Sequence, residues 1–146
     1  MSYSYRVTAH SPAAPAAVFS VLLHTSTWPS WSPIDAAEVE GDAPGERQGV
    51  GDVRAFRTGN GVVRERIVDL ASDRRFVYEA LDGPFRSYRG TVELRPAADG
   101  GTDLTWSGVF EPRSRLMGRF LRWYIARFMQ KTADGLAAYA AERPVA

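Results

Sequence analysis

An arginine and a glutamate hold the chemistry that the pattern of this chain brings into focus. Val50 to Arg57 and Val62 to Leu70 are strand-like runs separated by Thr58-Gly59-Asn60-Gly61. Gly59-Asn60 between two such runs predicts a tight hairpin. With Gly59 and Asn60 as the two turn residues, Thr58 faces Gly61, Phe56 faces Val63, Arg54 faces Glu65 and Asp52 faces Ile67. Side chains alternate along a strand, so these residues share one face. An arginine fork suits a carboxylate, phenolate or enolate, and a glutamate can exchange a proton once its surroundings bring its pKa near neutral. Arg54 and Glu65 are therefore the catalytic candidates. Three readings stand side by side: an ion pair that only orders the sheet, a pair that contacts a ligand, or a pair exposed to solvent after a register shift. Asp52 belongs at the rim, in water.

Aromatic residues make up 12% of the chain and include four tryptophans. Such side chains fill cores and also line small-molecule pockets. Trp28, Trp31, Phe56, Trp106, Phe110, Phe120 and Phe128 are the candidate cavity walls. Tyr78, Tyr88 and Tyr124 are candidate donors to a ligand carbonyl. The alternative for each is ordinary core packing. His24 closes a short helix, where a histidine favours the helix dipole. Ser87 and Ser107 lack the glycine-flanked setting of a hydrolase nucleophile.

Other chemistries are unsupported. The chain has 146 residues, no cysteine and two histidines, His10 and His24. Disulfides, thiolate nucleophiles and multi-histidine or cysteine metal sites are thereby excluded or unexpected. Phosphate-binding and dinucleotide glycine motifs are missing, so no cofactor is expected. Net charge is +1, from 18 basic and 17 acidic residues, which gives no reason to expect nucleic acid. No apolar run suggests a signal peptide or a membrane span, so a cytoplasmic location is the expectation. Arg113, Arg115, Arg119, Arg122 and Arg127 lie among aromatics near the end of the chain. They form either a solvated face or a surface for anionic lipid or an acidic partner.

The elements that position these residues follow from periodicity. Tyr3 to His10 alternates and reads as a strand. Ser11 can cap and Pro12 can begin a short helix over Ala13 to His24. Thr25 to Pro33 reads as a short helical turn or structured loop with Trp28 and Trp31 inward, and Asp35 to Glu40 as a weak strand. Gly41 to Gly49 is a polar loop. After the hairpin, strands over Arg75 to Leu81, Phe85 to Arg95 and Thr102 to Glu111 are joined by short turns, which predicts an antiparallel meander. From Ser114 to Glu142 no proline intervenes. A helix roughly 40 Å long is expected there, its apolar stripe formed by Met117, Phe120, Leu121, Tyr124, Phe128, Leu136 and Tyr139. Gly135 is expected to bend or thin it.

This order resembles the helix-grip fold of the START-like superfamily, and within it the SRPBCC group of polyketide cyclase/dehydrase-like proteins. The segments that carry the resemblance span nearly the whole chain. They are Pro-Ala-Ala-Pro-Ala-Ala-Val-Phe after the first strand, Trp28-Pro29-Ser30-Trp31-Ser32-Pro33, Gly51-Asp52-Val53-Arg54, Arg64-Glu65-Arg66-Ile67-Val68, Asp73-Arg74-Arg75-Phe76-Val77-Tyr78, Gly90-Thr91-Val92-Glu93-Leu94 and Gly101-Thr102-Asp103-Leu104-Thr105-Trp106. The resemblance implies an α+β domain over residues 1–146. A curved antiparallel sheet of about seven strands would wrap a long C-terminal helix, with two short helices after the first strand. It also implies a cavity between sheet and helix, whose partner is a small apolar or aromatic, lipid- or polyketide-like molecule. An aromatase/cyclase-type enzyme is the first alternative, and a stress-response or interaction module with a filled core the second. The chain would act as a monomer or homodimer, with the Gly41 to Gly49 loop and the Thr25 to Pro33 block as candidate lids.

Overall fold

A computed structural model describes residues 2–40 and 48–142. Its strands are β1 (Tyr3–Ser11), β2 (Ala36–Val39), β3 (Val53–Thr58), β4 (Gly61–Ala71), β5 (Arg75–Ala80), β6 (Phe85–Pro96) and β7 (Thr102–Pro112). Its α-helices are α1 (Pro15–Leu23), α2 (Trp28–Trp31) and α3 (Gly118–Glu142). The strands form one seven-stranded antiparallel sheet in the order β1-β7-β6-β5-β4-β3-β2. The meander runs from β2 to β7, and β1 closes against β7 at the far edge. The helices cover the concave face, with α3 packed on β1, β7, α1 and α2.

The expected hairpin is present in the expected register, with Arg54 opposite Glu65, Phe56 opposite Val63 and Thr58 opposite Gly61. Gly59 takes φ +60°, which the first residue of a two-residue hairpin turn needs and glycine supplies without strain. Asp52 precedes β3, and its carboxylate accepts a hydrogen bond from the Gly49 amide at 2.8 Å. The Gly41 to Gly49 loop lies mostly outside the described residues.

Helix boundaries differ from expectation for local reasons. Ser11 does not cap α1: its hydroxyl donates to the Ala137 carbonyl at 2.7 Å and ties the end of β1 to α3. The helix starts instead at Pro15, after an extended Ala14. The long helix does not begin at Ser114, which is extended; a 3-10 turn at Arg115–Met117 precedes α3.

The buried face of α3 is also rotated from the expected stripe. Leu136 of that stripe is buried, together with Ile125, Met129, Thr132, Ala133, Ala137 and Ala140, whereas Met117, Phe120 and Tyr124 are about half exposed. Small residues let the helix approach the sheet and the short helices closely. Gly135 shows this most directly, because a β-carbon there would collide with the Trp31 carbonyl. Its role is close approach to α2, not a bend. Gly135→Ala is expected to destabilise the fold by about 2 kcal/mol, overpacking outweighing the helix propensity gained. A urea melt that leaves the midpoint unchanged would refute this.

Candidate functional site

Two rows of side chains, each set by strand register, build the inner face of the sheet beneath α3, and Glu65, Ala80 and Tyr78 of these rows line a cavity there. One row runs Arg54, Glu65, Ala80 across β3, β4 and β5. The other runs Ile67, Tyr78, Gly90, Gly108, Tyr5 across β4, β5, β6, β7 and β1. The two glycines make the second row work. A β-carbon at Gly90 would strike the Tyr78 ring, and one at Gly108 the Tyr5 ring. The rings of Tyr5 and Tyr78 thus lean inward over bare backbone from opposite sides. The Tyr5 hydroxyl meets that of Tyr88, and the Tyr78 hydroxyl accepts from the Trp106 indole N–H at 2.9 Å. Gly90→Ala is expected to displace the Tyr78 ring, break its bond to Trp106 and cost about 1–3 kcal/mol. Unchanged stability in a denaturant melt, with unchanged tryptophan emission, would exclude this arrangement.

The cavity measures about 260 Å³. The sheet contributes Phe56, Glu65, Tyr78, Ala80, Tyr88 and Trp106, the short helices and their connection Trp28 and Ile34, and α3 the side chains Leu121, Tyr124, Ile125, Phe128, Met129 and Thr132. Glu65 is the one charged residue among the described lining. Eight of the twelve candidate ligand-contacting residues therefore line this space: Trp28, Phe56, Glu65, Tyr78, Tyr88, Trp106, Tyr124 and Phe128.

Four do not. Trp31 packs behind Trp28 at a ring separation of 4.6 Å and donates its indole N–H to the Thr27 hydroxyl. Phe110 stacks between Tyr3 and Tyr88 as a second layer. Phe120 points away, on the outer face of α3. Arg54 lies behind the cavity wall. Among the lining residues missed in sequence are Ile34, Ala80, Ile125, Met129 and Thr132. The signal for the helical ones was the run of small residues Ala133, Ala137 and Ala140, which marks the inward phase of α3 better than the aromatics do.

Arg54 and Glu65 face each other, and neither lies in open solvent. Arg54 is 0% exposed. Its guanidinium carbon sits 4.7 Å, 4.9 Å and 4.8 Å from the ring centres of Trp28, Phe56 and Phe76. Nη1 donates to the Leu22 carbonyl at 3.1 Å, while Nε and Nη2 have no hydrogen-bond partner among the described residues. Nη2 stands 3.9 Å from Glu65 Oε1, an ion pair too long for a hydrogen bond. The Glu65 side chain keeps 17% of its surface, next to the cavity it lines.

Electrostatics follow from this placement. Burial lowers the Arg54 pKa to about 10 despite the nearby carboxylate, so the guanidinium stays charged at neutral pH. Burial raises the Glu65 pKa to about 7, more than the attraction of Arg54 lowers it. Burial also pushes Tyr78 up to about 12 and raises Tyr5 and Tyr88. All three phenols therefore stay protonated and able to donate. The site combines an apolar aromatic body, one acid that titrates near neutrality and a cluster of phenolic donors. His24 takes no part: its Nδ1 donates to the Ser20 carbonyl at 2.6 Å at the end of α1. Among the described residues no cluster of His, Cys, Asp or Glu could hold a metal, and no helix is long and apolar enough to cross a membrane.

Comparison with known proteins fits this geometry. A family model described as polyketide cyclase / dehydrase and lipid transport matches residues 3–141. Among solved structures, a START superfamily protein from Mycobacterium smegmatis superposes with a TM-score of 0.79 at 13% identity, over 94% of this chain and 96% of that one. Ara h 8.0201 gives 0.75 at 18% identity, over 98% and 100%. A protein from Nitrosospira multiformis gives 0.72 at 21%, over 96% and 97%. These three share the fold. No curated protein sequence matches significantly.

Proposed function

We propose, from the premise that this chain belongs to the polyketide cyclase/dehydrase and lipid transport family, that it binds a small hydrophobic or aromatic molecule in the cavity beneath α3. The observation that carries the reading is an apolar cavity of about 260 Å³ whose described lining holds a single charged side chain. Its volume lies just below the roughly 300–1,000 Å³ of ordinary small-molecule pockets, which suits a small ligand. Apolar burial supplies most of the affinity, at roughly 25 cal/mol per Å². The polar groups orient the ligand: the Tyr78 hydroxyl, already accepting from Trp106, has its own proton to give to a ligand carbonyl, and Glu65 pairs with a ligand hydroxyl. An unfilled space of this size argues against a filled-core interaction module.

The test is titration with an environment-sensitive apolar dye, then displacement by lipids and aromatic polyketide-like compounds. Ala80→Phe is the matching control. Ala80 lines the cavity beside Glu65 and is only partly buried at the edge of the core, so a phenyl ring there is expected to project into the ligand's space. The variant is expected to lose at least about tenfold in dye affinity, equivalent to roughly 1.4 kcal/mol, while its melting temperature stays close to that of the parent. Equal affinity in parent and variant would move the binding site elsewhere; absence of saturable binding in the folded parent would end the proposal.

A second reading, aromatase/cyclase-type turnover, draws on Glu65 alone. An acid of pKa about 7 in an apolar wall can take a proton from a bound ligand and return it at neutral pH. Glu65→Gln would then abolish turnover and leave affinity largely intact; parallel loss of both would count against proton transfer.

A further inference from the structure

Eight large apolar side chains are exposed among the described residues, and five of them fall within 116–124: Leu116, Met117, Phe120, Trp123 and Tyr124. The other three lie apart from these, Val62 and Val109 on the sheet and Val50 in the turn before β3. Leu116 is 96% exposed, Phe120 53% and Trp123 57%. The rings form a continuous surface: Phe120 contacts Trp123 and Tyr124, Tyr124 contacts Phe128, and the Arg127 guanidinium lies 5.4 Å from the Trp123 ring centre. A contiguous exposed apolar patch rimmed by polar residues marks an interaction surface.

Charge says what kind of surface it meets. Between Pro112 and Ala133 there is no aspartate or glutamate, but there are Arg113, Arg115, Arg119, Arg122, Arg127 and Lys131. The chain as a whole carries only +1, so positive charge is concentrated on this one segment. Beside the patch, Arg86, Arg113 and Arg115 line a groove of about 470 Å³ together with Tyr3, Glu111 and Pro112. Two copies meeting face to face here would oppose like charges. Protruding leucine, tryptophan and tyrosine framed by arginine are the mix that seats a helix in the interface of an anionic bilayer. Tyr124, half exposed, also lines the cavity. The patch therefore lies at the cavity wall, where an apolar molecule dissolved in a bilayer would arrive.

We propose that the first half of α3 and the 3-10 turn before it dock on an anionic phospholipid bilayer, seating Leu116, Met117, Phe120 and Trp123 in the interface with arginines among the headgroups. Docking rests on surface residues and holds whether or not the cavity takes a ligand.

The experiment is co-sedimentation of the full chain with vesicles of phosphatidylcholine alone, and of equal parts phosphatidylcholine and phosphatidylglycerol. Tryptophan emission is followed in parallel. Trp28, Trp31 and Trp106 are buried, so a lipid-induced blue shift reports Trp123. The protein is expected to sediment with the mixed vesicles, to be released by salt and to show the shift, which Trp123→Phe removes. The exposed pair Arg119→Gln and Arg127→Gln should weaken binding about thirtyfold, at about 1 kcal/mol per charge. Three results would overturn the proposal. One is equal binding to both vesicle types. Another is a blue shift that grows with protein concentration without lipid, which assigns the face to a second copy. The third is equally tight binding to soluble polyglutamate, which assigns it to an acidic protein.

Discussion

Arg54→Ala is expected to be the most damaging single substitution in the site, lowering stability by about 3–5 kcal/mol and the melting temperature by roughly 10 °C for a chain of this size. Three effects act together. The guanidinium fills a space bounded by Trp28, Phe56 and Phe76, and its loss leaves a void lined by rings. Cation–π attraction in that desolvated position disappears. Glu65 then keeps its desolvation penalty without the only charge that relieved it. Arg54→Met separates these effects. It retains most of the volume and removes the two N–H groups that lack partners, so it should recover a large part of the loss. Glu65→Gln added to Arg54→Ala should also recover stability at neutral pH, with a coupling of about 1–3 kcal/mol. If thermal melts place Arg54→Ala within about 1 kcal/mol of the parent, the aromatic cage contributes nothing and the argument fails.

Glu65→Gln alone is expected to act in the opposite direction, and its sign depends on pH. The folded protein holds the Glu65 proton up to about pH 7, whereas the ordinary value is 4.5. Between those values the native state binds a proton that the unfolded chain has released. Stability therefore falls as pH rises through this window, and the loss is complete above the folded pKa. At 1.36 kcal/mol per unit the span corresponds to about 3 kcal/mol. Glutamine mimics the neutral acid, so the variant should match the parent near pH 4.5 and exceed it by up to about 3 kcal/mol above pH 7. Loss of a buried ion-pair partner usually destabilises. Here the 3.9 Å separation and the raised pKa show that desolvation outweighs the pairing. Denaturant melts at several pH values decide between the two: a variant less stable than the parent at pH 8 would mean that the pair is a net stabilising salt bridge.

Much of the architecture was legible because strand alternation and turn chemistry are local. Gly59-Asn60 set the register of β3 and β4 and hence the meeting of Arg54 with Glu65, two residues eleven positions apart. What stayed hidden depends on distant packing. Arg54 shares a face with Glu65, yet the Leu22 carbonyl of α1 and the rings of Trp28, Phe56 and Phe76 close around it and leave only Glu65 at the cavity. Strand pattern cannot show which of two neighbours a helix will cover. The phase of α3 was misread because Met117 and Phe120 look like core residues, although Ala133, Ala137 and Ala140 carry the contact. Aromatic character alone does not distinguish a buried ring from one held at a surface. Gly90 and Gly108 fall in strand phase with the inward-facing residues of β6 and β7. Their purpose emerges only once Tyr5 and Tyr78 are brought in from neighbouring strands.

The paired glycines also bear on the order in which the protein assembles. The floor they leave bare is covered by a ring from the first strand, whose hydroxyl finds its partner 83 positions later in the chain. Local hairpins such as β3–β4 can form early, but loop-closure entropy delays contacts of such long range. The cavity is thus among the last features to form. A chain still emerging during synthesis holds most of the meander before β1 can close against β7, so the complete wall around the cavity is expected only in the finished fold.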